Sequence, residues 1–232
     1  MMLAAIALAA AFTLFTTAAS AAPGDSRPAP VGPSTSALPP LSVTVRATSD
    51  ITPSLVARML DEAGAIWRRA GVTFDWRLTP VGADADSRAR SLLVIVDDEP
   101  GRPRDGELPI GWIVFDDDCS PEPQLHVSYR NARELLTLTR QDRGGEWMPR
   151  LEEEVLLGRA MGRALAHELG HYLFASKQHT PRGLMESRRS AAEMFAAAHD
   201  GYWIRDDQRR LAAARIVDRW RIAAAGAGQE HR

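Results

Sequence analysis

The stretch HELGHYLFASKQHTPRGLM, residues 167–185, decides how this chain is interpreted. It opens with His-Glu-x-x-His, in which His167 and His171 stand four positions apart. In a helix this spacing places both imidazoles on one face, close enough to share one metal ion. Glu168 lies about 100° round the helix from His167, so its carboxylate reaches the side of such an ion. The motif therefore predicts a metal site and a carboxylate base on one helix.

A third protein ligand must come from farther along the chain, because catalytic zinc sites have three protein ligands and leave the fourth position to water. His179 is the first candidate, eight residues after His171 and beyond the expected end of the helix. Residues 175–178 would form the loop that returns the chain to the metal. Glu193 and His199 are the alternatives, and the pattern leaves the choice among the three open.

The combination of His-Glu-x-x-His, a downstream histidine and a Gly-Leu-Met turn resembles the zincin metalloproteases, and among them the metzincins. The resemblance implies Zn²⁺ as the cofactor and a methionine turn beneath the metal. The residues that it assigns are His167, His171 and His179 as metal ligands, Glu168 as general base, and Gly183 and Met185 in the supporting turn.

The chain departs from the usual metzincin pattern in two places. That pattern would put a glycine at Phe174 and the last ligand at Lys177, whereas the next histidine is His179. Met185 also follows this histidine unusually closely, and no tyrosine comes directly after it. We therefore expect a compact relative with a small carboxy-terminal part.

The surrounding segments predict an α+β fold with a twisted mixed sheet of about four to five strands. Strand patterns occur at residues 41–47, 72–78, 91–98, 111–117 and 125–129. Helical patterns occur at residues 52–70, 131–138, 150–175, 190–198 and 206–222.

Five of these segments carry expectations about topology. The first strand-helix-strand unit should be parallel, with a right-handed crossover. The continuous apolar run at 91–98 predicts a central strand. The short segment 125–129, close to Pro123, predicts an edge strand, which the resemblance would place over the cleft. The resemblance implies the same zincin-like plan of sheet, long active-site helix and small helical carboxy-terminal part.

The composition bounds the domain organisation. The chain has 232 residues, with 28 basic against 30 acidic, so it is long enough for a sizeable domain and too balanced to predict a nucleic-acid partner. An apolar run that ends in small residues predicts a signal peptide over residues 1–22, followed by a Pro/Ala/Ser-rich linker over 23–40. A zinc-dependent peptidase-like domain is expected over 41–224 and a disordered tail over 225–232.

Together these features favour an exported zinc metalloendopeptidase, periplasmic or extracellular, that acts on a peptide or protein substrate. In this hypothesis Glu168 is the general base for a water activated by zinc. No stable membrane span is expected after signal cleavage, and a monomer is assumed. Cys119 is the only cysteine, so no internal disulfide stabilises the fold.

Two other classes of protein remain as hypotheses. One is a zinc-binding, zincin-like structural or binding domain that has lost catalysis, although an intact Glu168 favours the enzyme because a structural site has no use for a base. The other is an exported domain that binds no metal.

Overall fold

The computed structural model describes residues 38–79, 92–101, 109–141, 144–145 and 147–227. The predicted signal peptide and most of the predicted linker lie outside the described residues. So do residues 228–232 of the predicted tail.

The described residues form five strands and five helices. In chain order they are β1 (Leu41–Ala47), α1 (Pro53–Arg68), β2 (Phe74–Thr79), β3 (Leu92–Asp97), β4 (Gly111–Phe115), β5 (Pro121–Ser128), α2 (Tyr129–Gln141), α3 (Arg150–Phe174), α4 (Ala191–Phe195) and α5 (Asp206–Ala227).

The strands form one mixed sheet in the order β2-β1-β3-β5-β4. All neighbouring pairs are parallel except β4 with β5, which is antiparallel. The predicted mixed sheet of four to five strands is thus confirmed, and so are the parallel pairing of β1 with β2 and the central place of β3. Alternate side chains of β1 and β3, such as Val43, Val45 and Val94, are buried in one core with α1 and α3.

The prediction that residues 125–129 form the edge strand is wrong. Residues 125–128 form the carboxyl half of β5, which pairs with β3 on one side and with β4 on the other, and Tyr129 begins α2. Pro121 and Pro123 are compatible with this interior position because the pairing with β3 begins only at Gln124. The antiparallel edge strand is β4.

Helix α1 sets the position of α3. The Thr52 side chain caps α1 by accepting from the backbone N–H of Leu55 at 3.2 Å, with Pro53 at the first helical position. The two helices approach closely at Gly158 and Gly162 of α3, where an added Cβ would lie 2.6 Å from Arg58 Cβ and 2.5 Å from Glu62 Cβ respectively. The close approach fixes the direction of the helix that carries the histidines.

A buried hydrogen bond fixes the same helix pair close to the motif. The indole N–H of Trp67, at the end of α1, donates to the carbonyl oxygen of Ala166 at 3.1 Å. Ala166 directly precedes His167, so this contact fixes the position of the His-Glu-x-x-His motif along α1.

The carboxy-terminal helices differ in length from their prediction. Helix α4 is a short capped turn, Ala191–Phe195, rather than the predicted 190–198. Helix α5 extends to Ala227, so residues 225–227 of the predicted tail are helical. None of the described helices is both long and apolar enough to cross a membrane.

Candidate metal centre

Helix α3 carries the first part of the site and ends just after it. Residues His167, Glu168 and His171 lie on its last two turns, as predicted. The helix stops at Ala175, which adopts a left-handed conformation with φ of 48°. This reversal sends residues 176–179 back along the helix.

Three imidazoles converge at the end of α3. The rings of His167 and His171 are 4.8 Å apart between centroids, and the ring of His179 is 5.3 Å from the first and 4.9 Å from the second. One ligating atom from each residue lies within 4.8 Å of those of the other two. The return loop thus brings the predicted third histidine to the helical pair.

Backbone carbonyls orient the two helical histidines. Nδ1 of His167 is 2.9 Å from the carbonyl oxygen of Leu184, and Nδ1 of His171 is 2.7 Å from that of Ser176. A carbonyl only accepts, so each Nδ1 carries the hydrogen and donates it. In the neutral ring Nε2 then keeps its lone pair, and this is the arrangement found around metal-binding histidines.

Burial keeps these histidines neutral. It is the main cause that lowers the pKa of His167 to about 3, and the neighbouring His171 and, to a lesser extent, Arg189 act in the same direction. Burial also lowers the pKa of His171. Neutral imidazoles are the form that a metal ion requires. The ring orientation, the protonation state and the convergence of three nitrogens all fit a zinc ion.

Glu168 lies in a dry environment beside the cluster. Burial raises the pKa of its carboxyl group to about 8. The edge strand β4 covers it, since an added Cβ at Gly111 would lie 3.0 Å from Glu168 Cγ. Farther along β4, the Phe115 ring meets the His171 ring edge-on at 6.3 Å. Strand β4 therefore packs against the side of α3 that carries Glu168 and His171.

The Gly-Leu-Met turn packs against the helix that carries the motif. Met185 is buried, and its Sδ occupies the space that a Cβ would take at Gly170, inside the His-Glu-x-x-His segment. Gly183 has a φ of 90°, which favours glycine, and its Cβ position lies 2.8 Å from the carbonyl oxygen of Trp203. The turn is closed by a hydrogen bond of 2.8 Å from the Thr180 N–H to the Met185 carbonyl.

The alternative third ligands are engaged elsewhere. Glu193 caps α4 through Ser190 and pairs with Arg189 at 3.2 Å. Nε2 of His199 is 3.0 Å from the Glu62 carboxylate. Lys177, where the metzincin pattern places its last ligand, lies over the Phe115 ring at 5.0 Å. Of the three candidates, the structure brings only His179 to the helical pair.

No protein-family model matches this sequence, and no curated protein matches it. Among solved structures, the chain is similar to the crystal structure of an archaemetzincin from Methanopyrus kandleri, with 16% sequence identity and a TM-score of 0.45. The match covers 76% of this chain and 96% of that chain. This TM-score is too low to establish a common fold.

Several contributors to the site were not identified from the sequence. The carbonyls of Leu184 and Ser176 carry no sequence signal, because any residue supplies the same group. Gly170 does carry one, since a glycine inside a helix costs about 1 kcal/mol relative to alanine and points to close packing. The contact of β4 with Glu168 at Gly111 depends on the strand order. The sequence placed residues 125–129 at the edge of the sheet, where the structure has β4.

Proposed function

We propose that this chain is a zinc-dependent metallopeptidase of the zincin type, hydrolysing peptide bonds with Glu168 as general base. The observation that carries the proposal is the convergence of His167, His171 and His179 beside this one buried carboxyl group. A purely structural site would not need an ionisable group at that place. The site residues are those assigned from the sequence.

Each residue has a distinct role in the proposed reaction. His167, His171 and His179 would hold zinc, which when bound lowers the pKa of a coordinated water to about 7 and polarises a carbonyl group. Glu168 accepts the proton of the attacking water and delivers it to the nitrogen of the leaving amine. In this second step the protonated carboxyl group acts as an acid.

The edge strand β4 is the proposed docking site for an extended substrate. Among the described strands, β4 pairs with β5 alone, and its residues Gly111 and Phe115 lie against Glu168 and His171. A peptide could add to it by main-chain hydrogen bonds. Strand β5 offers no such edge, because it lies between β3 and β4.

The deciding experiment measures peptide hydrolysis and bound metal on the same preparation. Wild-type protein loaded with zinc is expected to cleave members of a broad peptide library, and a chelator should abolish cleavage until zinc is restored. Glu168→Ala should keep the zinc and lose the cleavage. Stoichiometric zinc without cleavage of any peptide would instead support the inactive binding domain, and absence of zinc from the wild type would refute the metal site itself.

The proposed location is outside the cytoplasm. The support is the apolar run and small-residue site within residues 1–22, which lie outside the described part of the chain. Expression of the full chain followed by fractionation and amino-terminal sequencing tests this. A mature protein that begins near residue 23 is expected, and an intact amino terminus in the cytoplasm would contradict it.

A further inference from the structure

Arg189 lies four residues after Met185, and neither the metal cluster nor the proposed reaction uses it. Its side chain is only 8% exposed. Its guanidinium donates to the carbonyl oxygens of Gly183 and Gly201, the second at 2.7 Å. It also lies over the Tyr202 ring at 4.4 Å. A buried arginine with this many backbone partners holds chain segments in a defined relation to each other.

The carboxylates around Arg189 complete its environment. Glu186 and Glu193 each place an oxygen 3.2 Å from Nη1, so the buried charge is compensated on two sides. The shape of the guanidinium matters here, because it reaches two carbonyls and two carboxylates at once. The single ammonium group of lysine cannot reproduce that geometry.

The two backbone segments that Arg189 joins are the ones that support His167. Gly183 precedes Leu184, whose N–H donates to the Trp203 carbonyl at 2.9 Å. Gly201 lies two residues before Trp203, in the same segment. The carbonyl of Leu184 in turn accepts from Nδ1 of His167 at 2.9 Å. A continuous path of contacts thus leads from Arg189 to the first metal-binding imidazole.

We infer that Arg189 is a positioning residue for the metal centre, holding Gly183 and Gly201 together so that the Leu184 carbonyl sets the orientation of the His167 ring. The inference rests on the proposed function, because it assigns Arg189 a role at the same metal site. Loss of a group that supports a metal-binding histidine lowers metal affinity by about 10- to 100-fold. Arg189 acts one contact farther out, through the segment that carries Leu184, so Arg189→Lys should weaken zinc binding by about 10-fold, the lower end of this range.

The chain offers two matched controls. Arg188 is the exposed neighbour in sequence, so Arg188→Lys should leave zinc affinity unchanged. Arg163 is a second buried arginine beside Tyr202, 4.8 Å from its ring, and it donates to the carbonyls of Ala196 and Ala198 instead of the turn. Arg163→Lys should lower the melting temperature without changing the zinc affinity of the folded protein.

A second variant displaces Arg189 without removing it. A Cβ at Gly201 would lie 2.7 Å from Arg189 Nη1, so Gly201→Ala pushes the guanidinium away from its carbonyl partners. This variant keeps every charge and every histidine. It is expected to weaken zinc binding in the same direction as Arg189→Lys.

The test combines two measurements on folded, full-length protein. Zinc affinity is measured by competition with a chromophoric chelator, and the imidazole N–H signals of the zinc-free protein by nitrogen-edited NMR. Wild type and both controls should show a slowly exchanging Nδ1–H signal from His167. Arg189→Lys and Gly201→Ala should lose it and bind zinc about 10-fold more weakly.

The outcomes separate this inference from the proposed function. Wild-type zinc affinity and an unchanged His167 signal in folded Arg189→Lys would overturn the role of Arg189 and leave the peptidase proposal intact. An equal loss of affinity in Arg163→Lys would also overturn it, since general packing would then explain the effect. If the wild type binds no zinc, the proposed function fails, and the NMR signal alone decides whether Arg189 orients His167.

Discussion

At the scale of single residues, the environment of Glu168 conflicts with its proposed role. Burial favours its protonated form and raises the pKa to about 8, whereas a general base must be ionised when it accepts a proton. A divalent cation held by the adjacent histidines would favour the carboxylate. The metal-free protein is therefore destabilised at this position wherever the pH forces ionisation.

Glu168→Gln should consequently stabilise the metal-free protein in a pH-dependent way. The folded-state pKa lies above the ordinary value of 4.5, so the contribution of the carboxyl group is fully present below pH 4.5 and is lost as the pH rises to about 8. Each pH unit crossed in that window costs up to about 1.4 kcal/mol. Glutamine does not ionise and avoids this loss.

Urea unfolding of zinc-free wild type and Glu168→Gln at pH 5 and pH 8 measures the effect. The stability difference in favour of the variant should be larger by a few kcal/mol at pH 8. Glu152→Gln, at an exposed position of the same helix, should show no such growth. A Glu168→Gln difference that is the same at both pH values would contradict the prediction.

At the scale of elements, α3 has two features that helix propensity disfavours, namely three internal glycines and a left-handed alanine at its end. It continues through Gly158, Gly162 and Gly170, since each glycine admits a close neighbour that a side chain would exclude. It then ends at Ala175, in a left-handed conformation that costs about 1–2 kcal/mol for a residue with a Cβ. The short return to His179 depends on this reversal.

Ala175→Gly should stabilise the protein and leave zinc affinity unchanged. Glycine adopts the left-handed conformation without strain, and the gain should be about 1 kcal/mol, or about 2–4 °C in melting temperature. Ala214→Gly, at an exposed position inside α5, should have the opposite sign. Calorimetry of the two variants measures both changes in melting temperature. A lower melting temperature for Ala175→Gly would contradict the prediction.

The contact between α3 and the methionine turn can be measured by a double-mutant cycle. Gly170→Ala alone places a Cβ where Met185 Sδ lies and should cost about 1–3 kcal/mol through overpacking. In a Met185→Ala background that space is empty, so the same change should cost much less. The interaction energy from denaturant unfolding should therefore be at least about 0.5 kcal/mol. Additive effects would show that Met185 does not pack on Gly170 in solution.

At the scale of the whole molecule, distant parts of the chain meet at the candidate metal centre. Helix α3 supplies His167 and His171, the return loop supplies His179, and the turn and edge strand supply Leu184 and Gly111. A ligand that binds only this assembled arrangement stabilises the entire domain. Folding and metal binding are therefore expected to be coupled.

Zinc should raise the melting temperature of the domain, and His179 should be required for most of the effect. At a free zinc concentration about 100 times the dissociation constant, the stabilisation is about 2.7 kcal/mol. His179→Ala should strongly reduce this zinc-induced rise in melting temperature. His199→Ala loses only the contact with Glu62 and should show the full rise. Mg²⁺ should have little effect because it prefers oxygen ligands. A full zinc shift in His179→Ala would remove His179 from the ligand set.

The sequence by itself determined the local features of this protein. Helical period and motif spacing placed His167, Glu168 and His171 on α3, and strand patterns identified the five strands, because these depend on residues near one another in the chain. The choice of His179 over Glu193 and His199, the edge position of β4 and the contacts of Arg189 were decided only by tertiary structure. They depend on how the return loop, the strand order and the buried carbonyls come together in space, which the spacing of residues along one chain does not specify.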